Sequence, residues 1–217
     1  MKILAVETSS QTTSAALAVG DQMLERYETA PRRHGAILSM MHALLQEASL
    51  ALSDIDALAL SCGPGSFTGL RLGAGVVQGL AFAGQLPVVL VSSLQVLAQA
   101  VWAEQGAEQV LVGWDARMDQ VYWGQYALEE GWMLPVVPDA LRCPEQCTIR
   151  KLGGVGAVGV GDAWRVYDIP ASCARVIEDQ YPRARYVAQW GQRSAAAGKT
   201  VSAEQALPVY LSAWKSR

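Results

Sequence analysis

Residues 63–69 read Gly-Pro-Gly-Ser-Phe-Thr-Gly, between an apolar run at 55–61 and a stretch to about residue 83 in which apolar residues return at helical spacing. A short apolar strand feeding a glycine- and proline-rich turn into a helix confines this part of the chain to the α/β class. The flanking residues extend the pattern. Apolar runs at 3–6 and 14–19 enclose the polar stretch 7–13, which reads as a hairpin turn, and 23–27 supplies a third strand. From 33 to 52, Ile37, Leu38, Met41, Leu44, Leu45, Ala48 and Leu52 mark a helix. A strand at 87–91 and a helix from 92 to about 102 complete one α/β lobe. A second lobe follows the polar residues Glu104, Gln105 and Gly106, with strands at 110–114, 120–126 and 155–160 and a helix at 182–197. The expected division is an N-terminal lobe, 1–105, and a smaller C-terminal lobe, 106–217, with the closing segment 207–214 free to pack back on the first. No internal repeat is visible.

Hydrophobic residues make up 51% of the chain and charged residues 17%, against roughly 25% charged in an average soluble domain. So little charge leaves more apolar surface than one core requires, which points to a partner. A net charge of −3 supplies no positive field to draw in RNA or membrane phosphates. The opening MKILAVETSS lacks the long apolar stretch of a secretory signal, and no run reaches the length of a membrane span, so a cytoplasmic protein is expected. Cys62, Cys143, Cys147 and Cys173 do not form a disulfide framework. Cys143 and Cys147 lie close in sequence, but no second Cys or His pair completes a metal site.

The glycine-rich turn has the spacing G-x-G-x-x-x-G. It is neither a Walker A loop, since no Lys-Ser or Lys-Thr follows, nor a dinucleotide fingerprint. Spacing alone leaves both a phosphate site at a helix N-terminus and a tight strand-to-helix turn open. His34 and His42 are more than two helical turns apart, too far to share a metal ion. Glu7 and Asp115 could form an acid–base pair or serve as turn and capping residues. On the helix at 68–83, Gly69, Leu72, Gly73, Val76, Leu80 and Ala83 share the face expected to pack on the sheet. Arg71, Gly75, Gln78 and Phe82 lie opposite, on a face with little charge for a solvated helix. An interior glycine costs a helix about 1 kcal/mol relative to alanine, so Gly75 suits a site where another helix lies across, with Phe82 as the apolar anchor.

ILAVETSSQTTSAALA, CGPGSFTGLRLGAGVVQGLA, WDARMDQVYWGQY and LPVYL, in this order, resemble the bacterial TsaB (YeaZ) family over nearly the whole chain. The resemblance implies a two-lobed, actin-like ATPase (RNase H-like) α/β fold with mixed sheets flanked by helices. It implies a part in making N6-threonylcarbamoyladenosine at position 37 of tRNAs that read codons beginning with A. The implied partners are the catalytic subunit TsaD, the ATPase TsaE and, through the complex, tRNA. The free protein could also pair with itself. The first lobe resembles that of TsaD as well, and its departures suggest lost chemistry. Gln11 stands where TsaD has an acid, and Ser93 and Leu97 stand where it has a metal-binding His-x-x-x-His. Trp164, in the stretch 159–164, stands near its nucleotide motif. The resemblance therefore implies no catalytic, cofactor-binding or metal-binding residue of the chain's own, with ATP or ADP held only at an interface shared with the complex. It implies a partner face made of Arg71, Gly75, Gln78 and Phe82 with His34, Leu38 and Met41 from the preceding helix. The alternative is an active phosphotransferase of the sugar or acetate kinase type on the same fold. A peptidase lacks any visible Ser/His/Asp or metal set.

Overall fold

The protein is described from a computed structural model, which covers residues 1–29, 36–150 and 156–211. The described residues form two compact units. One consists of residues 1–96 and 182–209; the other of 97–181 and 210–211.

The first unit is built on a five-stranded sheet in the order β3-β2-β1-β4-β5. Strands β1 (Lys2–Glu7), β2 (Thr13–Val19) and β3 (Gln22–Glu28) form an antiparallel meander. Strands β4 (Ala57–Gly63) and β5 (Val88–Ser92) continue the sheet parallel to β1, joined by the crossover helix α2 (Phe67–Gly84). Alternation along the central strands sorts the two faces. Leu4, Val6, Leu58 and Leu60 share a core with Ile37, Met40, Met41 and Leu44 of α1 (Ala36–Glu47) and with Ala74, Val77 and Ala81 of α2. On the other face lies α5 (Ala184–Ala196), where Gly191 leaves room for Ile3 and Ala59: a Cβ there would come within 2.9 Å of both.

The second unit carries strands β6 (Gln109–Arg117), β7 (Gln120–Glu129), β8 (Trp132–Arg142), β9 (Val158–Val160) and β10 (Arg175–Ile177), in the order β10-β9-β6-β7-β8. Read from its own first strand, this repeats the first sheet. Three strands form an antiparallel meander, and two more lie parallel to the first of them. The duplicated topology is the actin-like, RNase H-like fold. The second copy is reduced, since β9 and β10 have three residues each and α4 (Ala163–Val166) has four. Helix α3 (Ser93–Gln105) carries the chain between the units.

Two local expectations change. Strand β8 gives no strand signal in the sequence because Pro135 and Pro138 interrupt it, and it lies at the sheet edge, where a missing amide is tolerated. Helix α2 buries Leu70, Gly73, Ala74, Val77 and Ala81. Leu72, Val76 and Leu80 are only half-buried on its flank, while Ala83 is exposed. The buried face is thus turned toward the small residues Gly73, Ala74 and Ala81, which let the helix lie close to the sheet.

Candidate functional site

Strands β1, β4 and β5 all end beside the glycine-rich turn, where a nucleotide-dependent enzyme of this topology would place its chemistry. Here the chain itself occupies that space. The turn after β1 brings Thr8 and Ser9 onto α2, so that a Cβ at Gly65, Gly69 or Gly73 would stand 2.2 Å from the Ser9 carbonyl, 1.9 Å from the Thr8 carbonyl and 2.4 Å from Thr8 Oγ1. The Ser66 amide donates to the Ser9 carbonyl at 2.6 Å, and the Gly69 amide donates to the N-cap hydroxyl of Ser66 at 3.3 Å. Thr8 Oγ1 donates in turn to the Gly69 carbonyl at 2.7 Å. The glycines thus admit protein backbone, and two of the amides suited to an anion already have acceptors.

Glu7 closes β1 and is fully buried. Its Oε1 accepts the Ser9 amide at 2.5 Å. Oε2 and the hydroxyls of Ser9 and Ser61 are buried without a well-aligned hydrogen bond. Burial pushes the carboxyl above its usual range, and the neighbouring Ser61 and Ser9 pull it only part of the way back. Ser93 is buried with its hydroxyl on the Pro64 carbonyl, and Leu97 is buried within α3. Gln11 is exposed in the turn between β1 and β2.

In the second unit, Gly159 and Gly161 belong to β9 and the turn into α4. Trp164 lies over Gly159 and Gly113, where added Cβ atoms would come 3.1 Å and 2.9 Å from its ring, and its centroid is 5.7 Å from that of Trp123. The glycines here make room for an indole. Asp115 accepts from the Arg117 amide and guanidinium and from the Tyr167 hydroxyl, each at 2.8 Å. That last bond is the main reason the Tyr167 phenol titrates above its usual value. Asp115 and Glu7 thus belong to different units, and each is tied up locally.

Among the described residues no group of three or more His, Cys, Asp or Glu could hold a metal ion, and no helix is long and apolar enough to cross a membrane. Cys143 is exposed and Cys147 buried at either end of a single helical turn, and burial pushes the Cys147 thiol up to about 11. Cys173 rises to about 11 for the same reason.

The candidate partner face was to come from two helices. On α2, Arg71 and Gly75 are exposed, Phe82 is 75% exposed and Gln78 is half-buried. Phe67, the last apolar residue of the glycine-rich turn in sequence, begins the helix and joins this face: it is 56% exposed, and the Arg71 guanidinium stacks on it 3.7 Å from the ring centroid. Its position one helical turn before Arg71 was the available signal. A Cβ at Gly75 or Gly79 would meet nothing within 4 Å. On α1, Leu38 is 51% exposed and His42 is exposed, whereas Met41, only 2% exposed, belongs to the core beneath. His34 lies outside the described residues.

Comparison with known proteins agrees with this architecture. The model of the family described as TsaD, tRNA N6-adenosine threonylcarbamoyltransferase, matches residues 26–155. The Escherichia coli tRNA threonylcarbamoyladenosine biosynthesis protein TsaB is 38% identical, over 99% of this chain and 97% of its own length. The Haemophilus influenzae protein of the same name is 35% identical, over 97% and 93%. Two solved structures from Pseudomonas aeruginosa, one called YeaZ and one described as similar to peptidase YeaZ, are each 42% identical and cover 97% of this chain and 99% of their own. Their TM-scores are 0.92 and 0.93. The chain belongs to the TsaB family of tRNA threonylcarbamoyladenosine biosynthesis proteins.

Proposed function

We propose that this chain is a non-catalytic subunit of the assembly that transfers threonylcarbamoyl to N6 of adenosine 37 in tRNAs reading codons that begin with A. Family membership supports the pathway. In this reading the chain holds the catalytic subunit TsaD in a competent shape, works beside the ATPase TsaE, and meets tRNA through the complex in the cytoplasm. The observation that carries the reading is the outer face of α2. Two exposed aromatic residues, Phe67 and Phe82, flank glycines that leave the backbone open to a second helix. Leu38 on α1 extends the face. When TsaD is absent, a second copy of the chain uses the same surface. ATP or ADP is held at an interface shared within the assembly.

Three features support the absence of its own chemistry. Gln11 cannot act as an acid, Ser93 and Leu97 cannot replace imidazoles at a metal, and the first-turn amides of α2 are engaged by Ser9 and Ser66. A sugar or acetate kinase would need those amides for phosphate.

The direct test of the face is Gly75→Leu, which places a large side chain in open space. Analytical ultracentrifugation with and without TsaD should show weakened association alongside an unchanged or raised melting temperature. Wild-type affinity would remove this face from the interface. The pure protein should neither hydrolyse ATP nor modify tRNA, and turnover abolished by a point change in the chain itself would overturn the non-catalytic reading. Depletion in cells should leave adenosine 37 without threonylcarbamoyl while the acyl-adenylate donor is still made. Normal nucleoside levels by mass spectrometry would exclude the pathway.

A further inference from the structure

Beside α2, on the flank away from α1, runs a strap made of residues 201–209, which returns to the first unit after α5. Val201 opens it, exchanging both backbone hydrogen bonds with Val88 of β5, at 2.9 Å and 2.8 Å. The helical turn Ala203–Gln205 then packs on α2, and Ala206 is fully buried in the core shared with Ala74, Val77 and Ala81. At the far end the Val209 amide donates to the Cys62 carbonyl at 2.7 Å. The backbone comes so close there that a Cβ at Gly63 would stand 2.8 Å from the Val209 carbonyl and 3.0 Å from Leu70 on the first turn of α2. Sheet order fixes the layout. Helix α1 packs on β2 and β3, α2 packs on β4 and β1, and the strap is joined to β5, so α2 lies between α1 and the strap.

From Ala206 onward burial alternates: Ala206 is turned inward, while Leu207 and Val209 are 56% and 43% exposed. Among the described residues of the first unit, five of the seven exposed large apolar side chains belong to this one layer: Leu38 on α1, Phe67 and Phe82 on α2, Leu207 and Val209 on the strap. Scattered exposed apolar residues are ordinary, but their concentration on three adjoining rows marks an interaction surface. Size points the same way. Helix α2 has 18 residues, so it is about 27 Å long, and at a width of about 10 Å its outer face spans about 270 Å². A stable complex covers about 800 Å² on each partner. A partner centred on α2 must therefore reach the neighbouring rows. We propose that the strap is the third row of the partner face: the subunit that covers α2 also covers Leu207 and Val209, seating apolar side chains of its own over them. This rests on the reading of α2 as the face that binds TsaD. Anchored at Val201, Ala206 and Val209, the strap is already in place and adds no ordering cost on binding.

Hydroxyl-radical footprinting of the wild-type chain, free and saturated with TsaD, reads each row separately. Oxidation of Leu207 and Val209 should be lost in the complex to about the same extent as that of Phe67 and Phe82. Protection of the two phenylalanines without the strap residues would overturn this inference and leave the α2 face standing. Protection of none of the four in a formed complex would overturn both. A variant carrying Leu207→Asp and Val209→Asp changes two exposed side chains and keeps the backbone bond to Cys62. It should melt at the wild-type temperature and bind TsaD about tenfold more weakly in analytical ultracentrifugation. Wild-type affinity would overturn the proposal. Footprinting uses the wild type alone, so it decides the matter even if the substitutions disturb the strap.

Discussion

Gly73 and Gly75 sit two residues apart on α2 and are there for opposite reasons. Thr8 Oγ1 and Leu60 crowd the first, at 2.4 Å and 3.2 Å from where a Cβ would stand, while the second faces open space. Alanine at the two positions should therefore change stability in opposite directions. Gly73→Ala should cost roughly 1–3 kcal/mol through overpacking. Gly75→Ala should add about 1 kcal/mol through helix propensity. Urea unfolding of both variants measures the pair, and shifts of the same sign would mean that the two environments have been misassigned. Helical spacing already puts the two glycines on opposite faces, but the crowding at Gly73 comes from what the turn after β1 lays across the helix, which the spacing does not show. Gly159 lies in the stretch 159–164 that was compared with the nucleotide motif of TsaD, yet the Trp164 indole fills the space that it and Gly113 leave.

At the scale of elements, α5 shows how distant residues replace local signals. Its N-cap residue, Arg183, offers no side-chain cap. Instead the buried Ser14 hydroxyl on β2 accepts the Ala184 amide at 2.9 Å, across 170 residues of sequence. Glu25 on β3 then receives the Arg183 guanidinium at 2.5 Å and the Arg185 amide at 3.1 Å. Ser14→Ala should cost about 1 kcal/mol, the usual worth of an N-cap. Glu25→Ala should cost about 2 kcal/mol, since it removes charge-assisted bonds from a largely buried carboxylate. Thermal unfolding tests both, and a loss under a few tenths of a kcal/mol would show that α5 is held by its apolar face alone. The helix itself was legible from its periodicity at 182–197, but its caps were not, because they come from strands far away in the chain. The meander and crossover of the first unit were legible almost to the residue. Their turns are short and no proline interrupts their strands, whereas β8 is broken by two prolines and β10 has only three residues.

For the whole molecule, the repeated strand order is the clearest result and the one least visible in the chain. Two sheets share a topology with no repeated sequence, because a fold of this kind needs only the pattern of burial, and the second copy has kept little more than that pattern. The first unit is also discontinuous: its sheet is covered on one side by α1 and α2 and on the other by α5. A chain ending at residue 181 should leave Ile3 and Ala59 uncovered and should lose cooperative unfolding of the first unit, as read by near-ultraviolet circular dichroism during urea titration. A sharp, wild-type transition in that truncation would show that α5 is dispensable to this core. The return of α5 also sets a timetable. During translation the strands of the first unit leave the ribosome well before the helix that seals them, with residues 97–181 made in between. The second unit can begin to fold while the first still waits with one side of its sheet bare. A nascent chain stalled before residue 184 would therefore display apolar strand surface that the finished protein hides, and would be a natural client for a ribosome-bound chaperone.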